Sequence, residues 1–308
     1  MIEMIKEDKR LVAKIKELKK KRNAVILVHN YQLPEVQDIA DFRGDSLELS
    51  RIAAKTEAKV IVFCGVYFMA ETASILSPDK LVIMPDVSAG CPMAQMMSAD
   101  DLRELKRKHP GAVAVGYVNT SAAVKAELDY CCTSSNAVAV VNALKNEKEI
   151  IFIPDKYLAD YVSKQTGRKL ISWHGFCPTH VKILPEDLER EKKFHPQAKV
   201  MVHPECLASV VALADVVLST SQMAKFAKED PAKEFIIGTE SGLIYRLKQD
   251  NPDKEFYLAS ERAVCPNMKR TTQEKVLWSL EELKDEVRVS DEVRKKARLA
   301  IERMLAII

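Results

Sequence analysis

The stretch 81–92, LVIMPDVSAGCP, reads as a short apolar strand, a polar turn, and a cysteine followed directly by proline. The same phrase returns as KLISWHGFCP (169–178) and as EFYLASERAVCP (255–266). Its cysteines, Cys91, Cys177 and Cys265, are spaced by 86 and 88 residues. Two further series keep the beat: His29, Tyr117 and His203, and Ser46, Ser134 and Thr220. An interval this long, shared by three series, marks an internal repeat. The repeats run over 23–110, 111–197 and 198–285, and terminal helices at 1–22 and 286–308 are expected to pack on the first.

Each repeat alternates apolar runs of strand length with helical patterns. The first has strands in AVILVHN (24–30), KVIVFCG (59–65) and LVIMP (81–85). Pro34 opens a helix through EVQDIADF, Asp45-Ser46 caps SLELSRIAAK, VYFMAETASIL forms the next helix, and a last one runs from Pro92 to about Lys108. The second repeat restates this with AVAVGYVN, SAAVKAEL, DYCCTS, SNAVAVVNAL, IIFIPD, KYLADYVSKQT and KLISW. The third does so with KVMVHPE, LASVVALA, DVVLST, QMAKFAK, FIIGTE, LIYRLKQ and EFYLA. By analogy with DYCCTS and DVVLST, DFRGDS holds a short strand in the first repeat. Residues 3–22 read as a surface helix with Ile5, Val12, Ile15 and Leu18 on its apolar side, and 272–285 and 290–306 as closing helices.

Strands alternating with helices imply parallel sheets covered on both faces. The expected fold class is α/β: three similar three-layer α/β/α units around a pseudo-three-fold axis, with the active site at the centre. Ligands of open parallel sheets lie beyond the carboxyl ends of the strands. His29, Tyr31, Tyr117, Asn119, His203 and Glu205 stand at the end of each repeat's first strand, and the Cys-Pro units follow the last.

Composition excludes several classes. The chain has 308 residues, 47% hydrophobic and 30% charged, which suits a soluble globular protein. The net charge of +3 and scattered basic residues leave no nucleic-acid footprint. No apolar stretch reaches the ~20 residues of a membrane span, and the charged N-terminal stretch has no signal-peptide core. A cytoplasmic location is expected, where the seven cysteines point to metal or catalysis rather than disulfides.

Cysteines are often simply buried, and that reading suits Cys64, Cys131 and Cys132, which lie in apolar strands. Equivalent placement beside proline favours metal binding for Cys91, Cys177 and Cys265. Three thiolates suit either zinc or an iron–sulfur cluster, and their spacing does not separate the two. The strand-end His29, Tyr31, His203 and Glu205 suit acid/base work better than isolated structural polar groups would. His174 and His180 flank Cys177 without repeat counterparts, whereas His109 and His195 precede proline in solvent-side turns. Ser46, Ser134, Ser219 and Thr220 read as helix N-caps, positions that also hold carboxylate or phosphate.

The stretches HNYQLPEVQDIADFRGDS, GVYFMAE, YVNTSA, CTSSNAV, HPEC, STSQM, GTESGL and AVCPNMK, with the Cys91 and Cys177 loops, resemble the quinolinate synthase family from about residue 20 to 285. The resemblance implies condensation of iminoaspartate with dihydroxyacetone phosphate to quinolinate, phosphate and water, in NAD biosynthesis. It implies one 4Fe–4S cluster held by Cys91, Cys177 and Cys265 with one iron open. It assigns substrate binding to His29, Ser46, Tyr117, Val118, Asn119, Ser134, His203, Pro204, Glu205 and Thr220, and acid/base roles to Tyr31, His203 and Glu205. A functional link to an enzyme supplying iminoaspartate follows from it. Cys265-Pro266-Asn267-Met268 lacks the Cys-x-x-Cys of some members, and Tyr245 stands where many have histidine. The competing readings are another iron–sulfur hydro-lyase acting on a small dicarboxylate, and a non-catalytic binding protein with a structural zinc.

Overall fold

The structure is a computed structural model describing residues 2–307, with side chains from Lys9 onward, so Ile5 lies outside the described side chains. In chain order the first repeat comprises α1 (Ile2–Lys21), β1 (Ala24–His29), α2 (Pro34–Asp38), β2 (Phe42–Gly44), α3 (Ser46–Lys55), β3 (Val60–Cys64), α4 (Tyr67–Leu76), β4 (Leu81–Ile83), α5 (Pro92–Gln95) and α6 (Ala99–Lys108). The second has β5 (Val113–Tyr117), α7 (Ala122–Lys125), β6 (Tyr130–Cys132), α8 (Ala137–Ala143), β7 (Ile150–Ile153), α9 (Lys156–Thr166) and β8 (Ile171–Ser172). After it come a 3-10 turn at His180–Lys182 and α10 (Pro185–Phe194). The third has β9 (Lys199–Val202), α11 (Ala208–Val211), β10 (Val216–Val217), α12 (Thr220–Glu229), β11 (Glu234–Gly238), α13 (Leu243–Asp250) and β12 (Glu255–Leu258), followed by α14 (Gln273–Glu282) and α15 (Asp291–Ala306).

Three separate four-stranded sheets result, ordered β2-β1-β3-β4, β6-β5-β7-β8 and β10-β9-β11-β12. Every ladder is parallel, and each sheet places the repeat's first strand beside its second and third. The expected α/β class with three similar units is therefore what the chain adopts. The short strand anticipated in DFRGDS is β2.

The chain separates into two compact units, one of 1–91 with 266–290 and the other of 92–265 with 291–308. In the first unit, Ile26 and Val28 of β1 stand in register with Val62 and Cys64 of β3. Together they present one apolar face to Ile15 of α1 and to Val276, Leu277 and Leu280 of α14. Period-2 alternation supplies that face, and the helical stripe of α1 covers it. In the second unit, which holds the other two sheets, Val200, Val202 and Ile236 form the corresponding surface under Leu188 and Val210.

Several local expectations are corrected. The single helix expected from Pro92 to Lys108 is two, because Ser98 and Asp101 form a capping box that starts α6 afresh. Asp45 rather than Ser46 caps α3, its carboxylate accepting from Leu47 and Glu48 N–H. Ser219 caps α12 with Gln222 in a capping box, which leaves Thr220 as the first helical residue. Asn136, not a serine, precedes α8. Helix α10 matches none of the elements expected from the sequence. The closing helix α15 does not sit on the first repeat: Asn136 donates to Met304 O at 3.3 Å and Arg303 to Asp129 O at 2.8 Å. Its apolar side, Ala297, Ala300, Ile301 and Met304, is buried, and it packs on the edge strand β6 and on α7. Residues past 285 have no repeat counterpart, so nothing in the pattern indicated which sheet they cover.

Candidate active site

The ends of β1 and β9 are built alike. Nδ1 of His29 accepts the Tyr31 N–H at 3.2 Å, and Nδ1 of His203 accepts the Glu205 N–H at 3.3 Å. Three residues beyond each histidine, Gln32 and Cys206 N–H return to its carbonyl, both at 3.0 Å. A ring nitrogen that accepts a backbone N–H carries no proton, so the neutral imidazole has its proton on Nε2. In His203 that Nε2–H donates to Ser134 Oγ at 3.2 Å.

Glu205 is the hub of the second unit. Its Oε1 accepts the Tyr117 hydroxyl at 2.5 Å, and its Oε2 lies 2.7 Å from His180 Nδ1. The other nitrogen of His180 pairs with Thr239 Oγ1 at 2.8 Å, and Cys177 Sγ lies 3.2 Å from Nδ1. The His180 and His203 rings stack with centroids 4.6 Å apart. Burial by itself would raise the Glu205 carboxyl. The His180 ring beside it and the hydrogen bonds from His180 and Tyr117 outweigh it and hold the carboxyl below its usual range. Glu205 is thus an ionised acceptor enclosed by donors, with His180 and Glu205 only 1% and 3% exposed.

This arrangement unites Tyr117, Ser134, His203 and Glu205, all named from sequence, with His180, which the repeat could not single out. His174, the other histidine near Cys177, is exposed. Val118 and Pro204 sit at the same position of their repeats, Val118 directly after β5 and Pro204 two residues after β9. Asn119 has a buried Oδ1 with no hydrogen-bond partner among the described residues. Thr220 is buried at the start of α12 beside Ser219, whose Oγ accepts from Ser135 at 2.9 Å. Tyr245 lies on α13, its hydroxyl accepting from Gln249 at 2.7 Å.

Two carboxylates missed in the sequence steady the cysteine loops of this unit. Asp155 caps α9 through Tyr157 and Leu158 N–H, both 2.8 Å from Oδ1. Its Oδ2 is buried with no hydrogen-bond partner among the described residues. Burial, joined by the charge of Glu205, pushes the Asp155 carboxyl well above the usual range against the pull of nearby backbone N–H groups, Cys177 among them. Gly175 lets the Cys177 loop pair with Asp155, since a Cβ there would meet the Pro154 carbonyl oxygen at 2.5 Å. Glu240 accepts the Cys265 N–H at 3.0 Å and the Gly242 N–H at 2.7 Å. Asp155 and Glu240 fall at the ends of the apolar runs IIFIPD and FIIGTE, and nothing in the repeat pattern marked either.

In the first unit His29 and Tyr31 are buried edge to face, with centroids 4.6 Å apart. Lys269 donates to the Tyr31 carbonyl. Ser46 is half-buried as the first residue of α3. The Cys91 loop is anchored by Tyr67 N–H to Ala89 O at 2.8 Å and by a 2.7 Å bond from Lys275 to Asp86.

The cysteines divide in two. Cys64, Cys131, Cys132 and Cys206 are buried, and burial pushes their thiols up, Cys131 to about 12. Such thiols stay protonated and inert. Cys91, Cys177 and Cys265 are partly exposed and in no disulfide, each in a loop beyond the last strand of its sheet. That donor chemistry fits a thiolate-held iron–sulfur cluster. Cys177, His180 and Glu205 also offer ligand atoms within 4.8 Å of one another. Among the described residues no helix is long and apolar enough to cross a membrane.

Residues 13–306 match the family described as quinolinate synthetase A protein. The chain is 58% identical to a quinolinate synthase of Dehalococcoides mccartyi, over 96% of this chain and 97% of that protein. It is 56% identical to that of Methanosarcina barkeri over the same shares, and 55% identical to that of Thermodesulfovibrio yellowstonii over 97% and 99%. With nearly its whole length matched at this level, the chain belongs to the quinolinate synthase family.

Proposed function

We propose that this protein condenses iminoaspartate with dihydroxyacetone phosphate to quinolinate, phosphate and water, as a cytoplasmic step toward NAD. The observation that carries the reading is the buried hydrogen-bonded array Tyr117–Glu205–His180 beside Cys177. It combines an ionised base, a phenol and an imidazole next to a thiol, within a family whose relatives bear the name of this activity.

Cys91, Cys177 and Cys265 are the proposed ligands of a 4Fe–4S cluster. When bound, it would supply an open iron acting as a Lewis acid toward a substrate oxygen. The chain's own groups would manage protons and charge. Iminoaspartate reacts through its enamine, formed when a base removes the proton on the carbon beside the imine. Glu205, an ionised acceptor, is suited to take that proton, and His203, with its proton on Nε2, to donate one. The new carbon–carbon bond forms to the triose, and the phosphate leaves with the electron pair of its C–O bond. The hydroxyketone that remains isomerises to the hydroxyaldehyde, nitrogen closes the ring on the aldehyde carbon, and loss of two waters gives the aromatic ring, with Tyr31 a further proton carrier. Asn119, Ser134 and Thr220, with His29 and Ser46, would bind carboxylates and phosphate.

The test is quinolinate formation from the two substrates by protein purified without oxygen, together with its metal content. Brown, iron-containing protein that makes quinolinate is the expected result. Iron with activity only on another dicarboxylate would favour a hydro-lyase. Colourless protein holding zinc alone, a metal the Cys177, His180 and Glu205 set would suit, would overturn the reading.

A further inference from the structure

The loop after each repeat's first strand carries site residues, and in two repeats a buried side chain from the following helix holds that loop. In the first unit Gln37 of α2 donates through Nε2 to Asn30 O at 3.4 Å and to Gln32 O at 2.9 Å. In the second unit Lys125, the last residue of α7, donates through Nζ to Val118 O at 2.7 Å and to Thr120 O. Positions 30, 32 and 37 each lie 88 residues before 118, 120 and 125. The two side chains therefore grip equivalent carbonyls, one with an amide and one with an ammonium. In the third repeat the same position is Val211, and Pro204 takes the place of Asn30 and Val118. There the ring of proline fixes φ without a side-chain grip.

Lys125 is fully buried, and its charge is felt by the neighbouring Cys131 thiol. Lysine is almost never fully buried unless its ammonium is satisfied. Its two carbonyl acceptors flank Asn119, and Tyr117 precedes them. The turn is short: Thr120 N–H returns to Val118 O at 2.8 Å, and Thr120 Oγ–H donates to Tyr117 O at 3.1 Å. Any shift of Val118 or Thr120 moves both the Tyr117 hydroxyl on Glu205 and the Asn119 amide.

We infer that Lys125 is a positioning residue, a buried strap that fixes the 117–120 turn so that Tyr117 and Asn119 meet the substrate. Hydrogen-bond geometry is what the strap supplies, as the neutral Gln37 does one repeat earlier. The kinetic part of its test rests on the function proposed above; the exchange part does not.

The experiment compares the full-length, anaerobically purified protein with Lys125→Met and Lys125→Gln. Lys125→Met removes both bonds while keeping the stem. It should speed amide exchange over residues 117–120 and raise the KM for dihydroxyacetone phosphate, each by about tenfold or more. Its iron content should match that of the unaltered protein, and its kcat should fall less than its KM rises. Lys125→Gln should return exchange and KM to within about threefold, since an amide already does this task at Gln37. Unchanged exchange and KM in Lys125→Met, or a Lys125→Gln as impaired as Lys125→Met, would overturn the inference. If Lys125→Met does not fold, Lys125→Gln alone decides by the same threefold limit on exchange. If the unaltered protein makes no quinolinate, the functional reading fails while the exchange measurement still decides the strap.

Discussion

The Tyr117 hydroxyl donates to Glu205 Oε1 at 2.5 Å, joining the strand end of the second repeat to that of the third. Two strand-end residues, only one of them in a repeated series, share one contact buried on both sides.

That contact predicts unequal losses. Tyr117→Phe removes one charge-assisted donor and should lower kcat/KM about 10- to 100-fold. Glu205→Gln removes the acceptor itself and should cost about 10²- to 10⁴-fold, the usual worth of a general base. Steady-state quinolinate assays check both. The double variant should lose less than the product of the two, because the residues act through one bond.

Cysteine substitutions should separate the two classes of thiol. Cys177→Ala should abolish iron binding and colour, whereas Cys131→Ala, in the core of β6, should keep its iron and lose about 1–2 kcal/mol of stability. Iron analysis and denaturant unfolding read the two effects independently. Retention of a full iron complement by Cys177→Ala would refute its assignment as a ligand.

Gly175→Ala forces a methyl group against the Pro154 carbonyl. The Cys177 loop must then move, at a cost of about 1–3 kcal/mol, and the protein should purify with less iron. Thermal unfolding and iron content together check it.

The Cys265 loop carries a pH signature. Arg262 Nη2 donates to Asp187 Oδ2 at 2.8 Å, and the Leu184 N–H donates to the same oxygen at 3.0 Å. Burial pushes Asp187 up, but Leu184 N–H, Arg262, Arg190 and Ser260 outweigh it and hold the carboxyl below its usual value. The folded state therefore sheds this proton more readily than the unfolded state. The resulting stability is fully present above the unfolded value of about 3.9 and is lost as pH falls below it. Melting temperatures of the unaltered protein and Asp187→Asn should differ most near neutral pH and converge on acidification toward pH 3.

Much of this was legible in the sequence for a physical reason. Strands such as VIVFC and IIFI are buried on both faces and read as unbroken apolar runs, and three copies of one pattern corrected one another. The strand-end histidines were legible for the same reason. His180 was named only as one of two flanking histidines, because a group that occurs once gains nothing from periodicity. Asp155 and Glu240 stayed hidden because their bonds run to backbone N–H groups brought close only by folding. Helices α7 and α11 came out shorter than LASVVALA and its counterpart suggested, since the chain must turn within a few residues to enter the next edge strand. The placement of α15 depends on an uncovered strand edge, which composition does not reveal.

The borders of the two compact units fall between Cys91 and Pro92, between Cys265 and Pro266, and between Ser290 and Asp291. Proline fixes its own φ and keeps the residue before it extended. At two of the three borders the chain therefore passes through a Cys-Pro dipeptide whose backbone is restricted. Reagents that alkylate or oxidise Cys91 or Cys265 would therefore modify a thiol carried on restricted backbone, and iron content after such treatment would read the proposed ligand role directly.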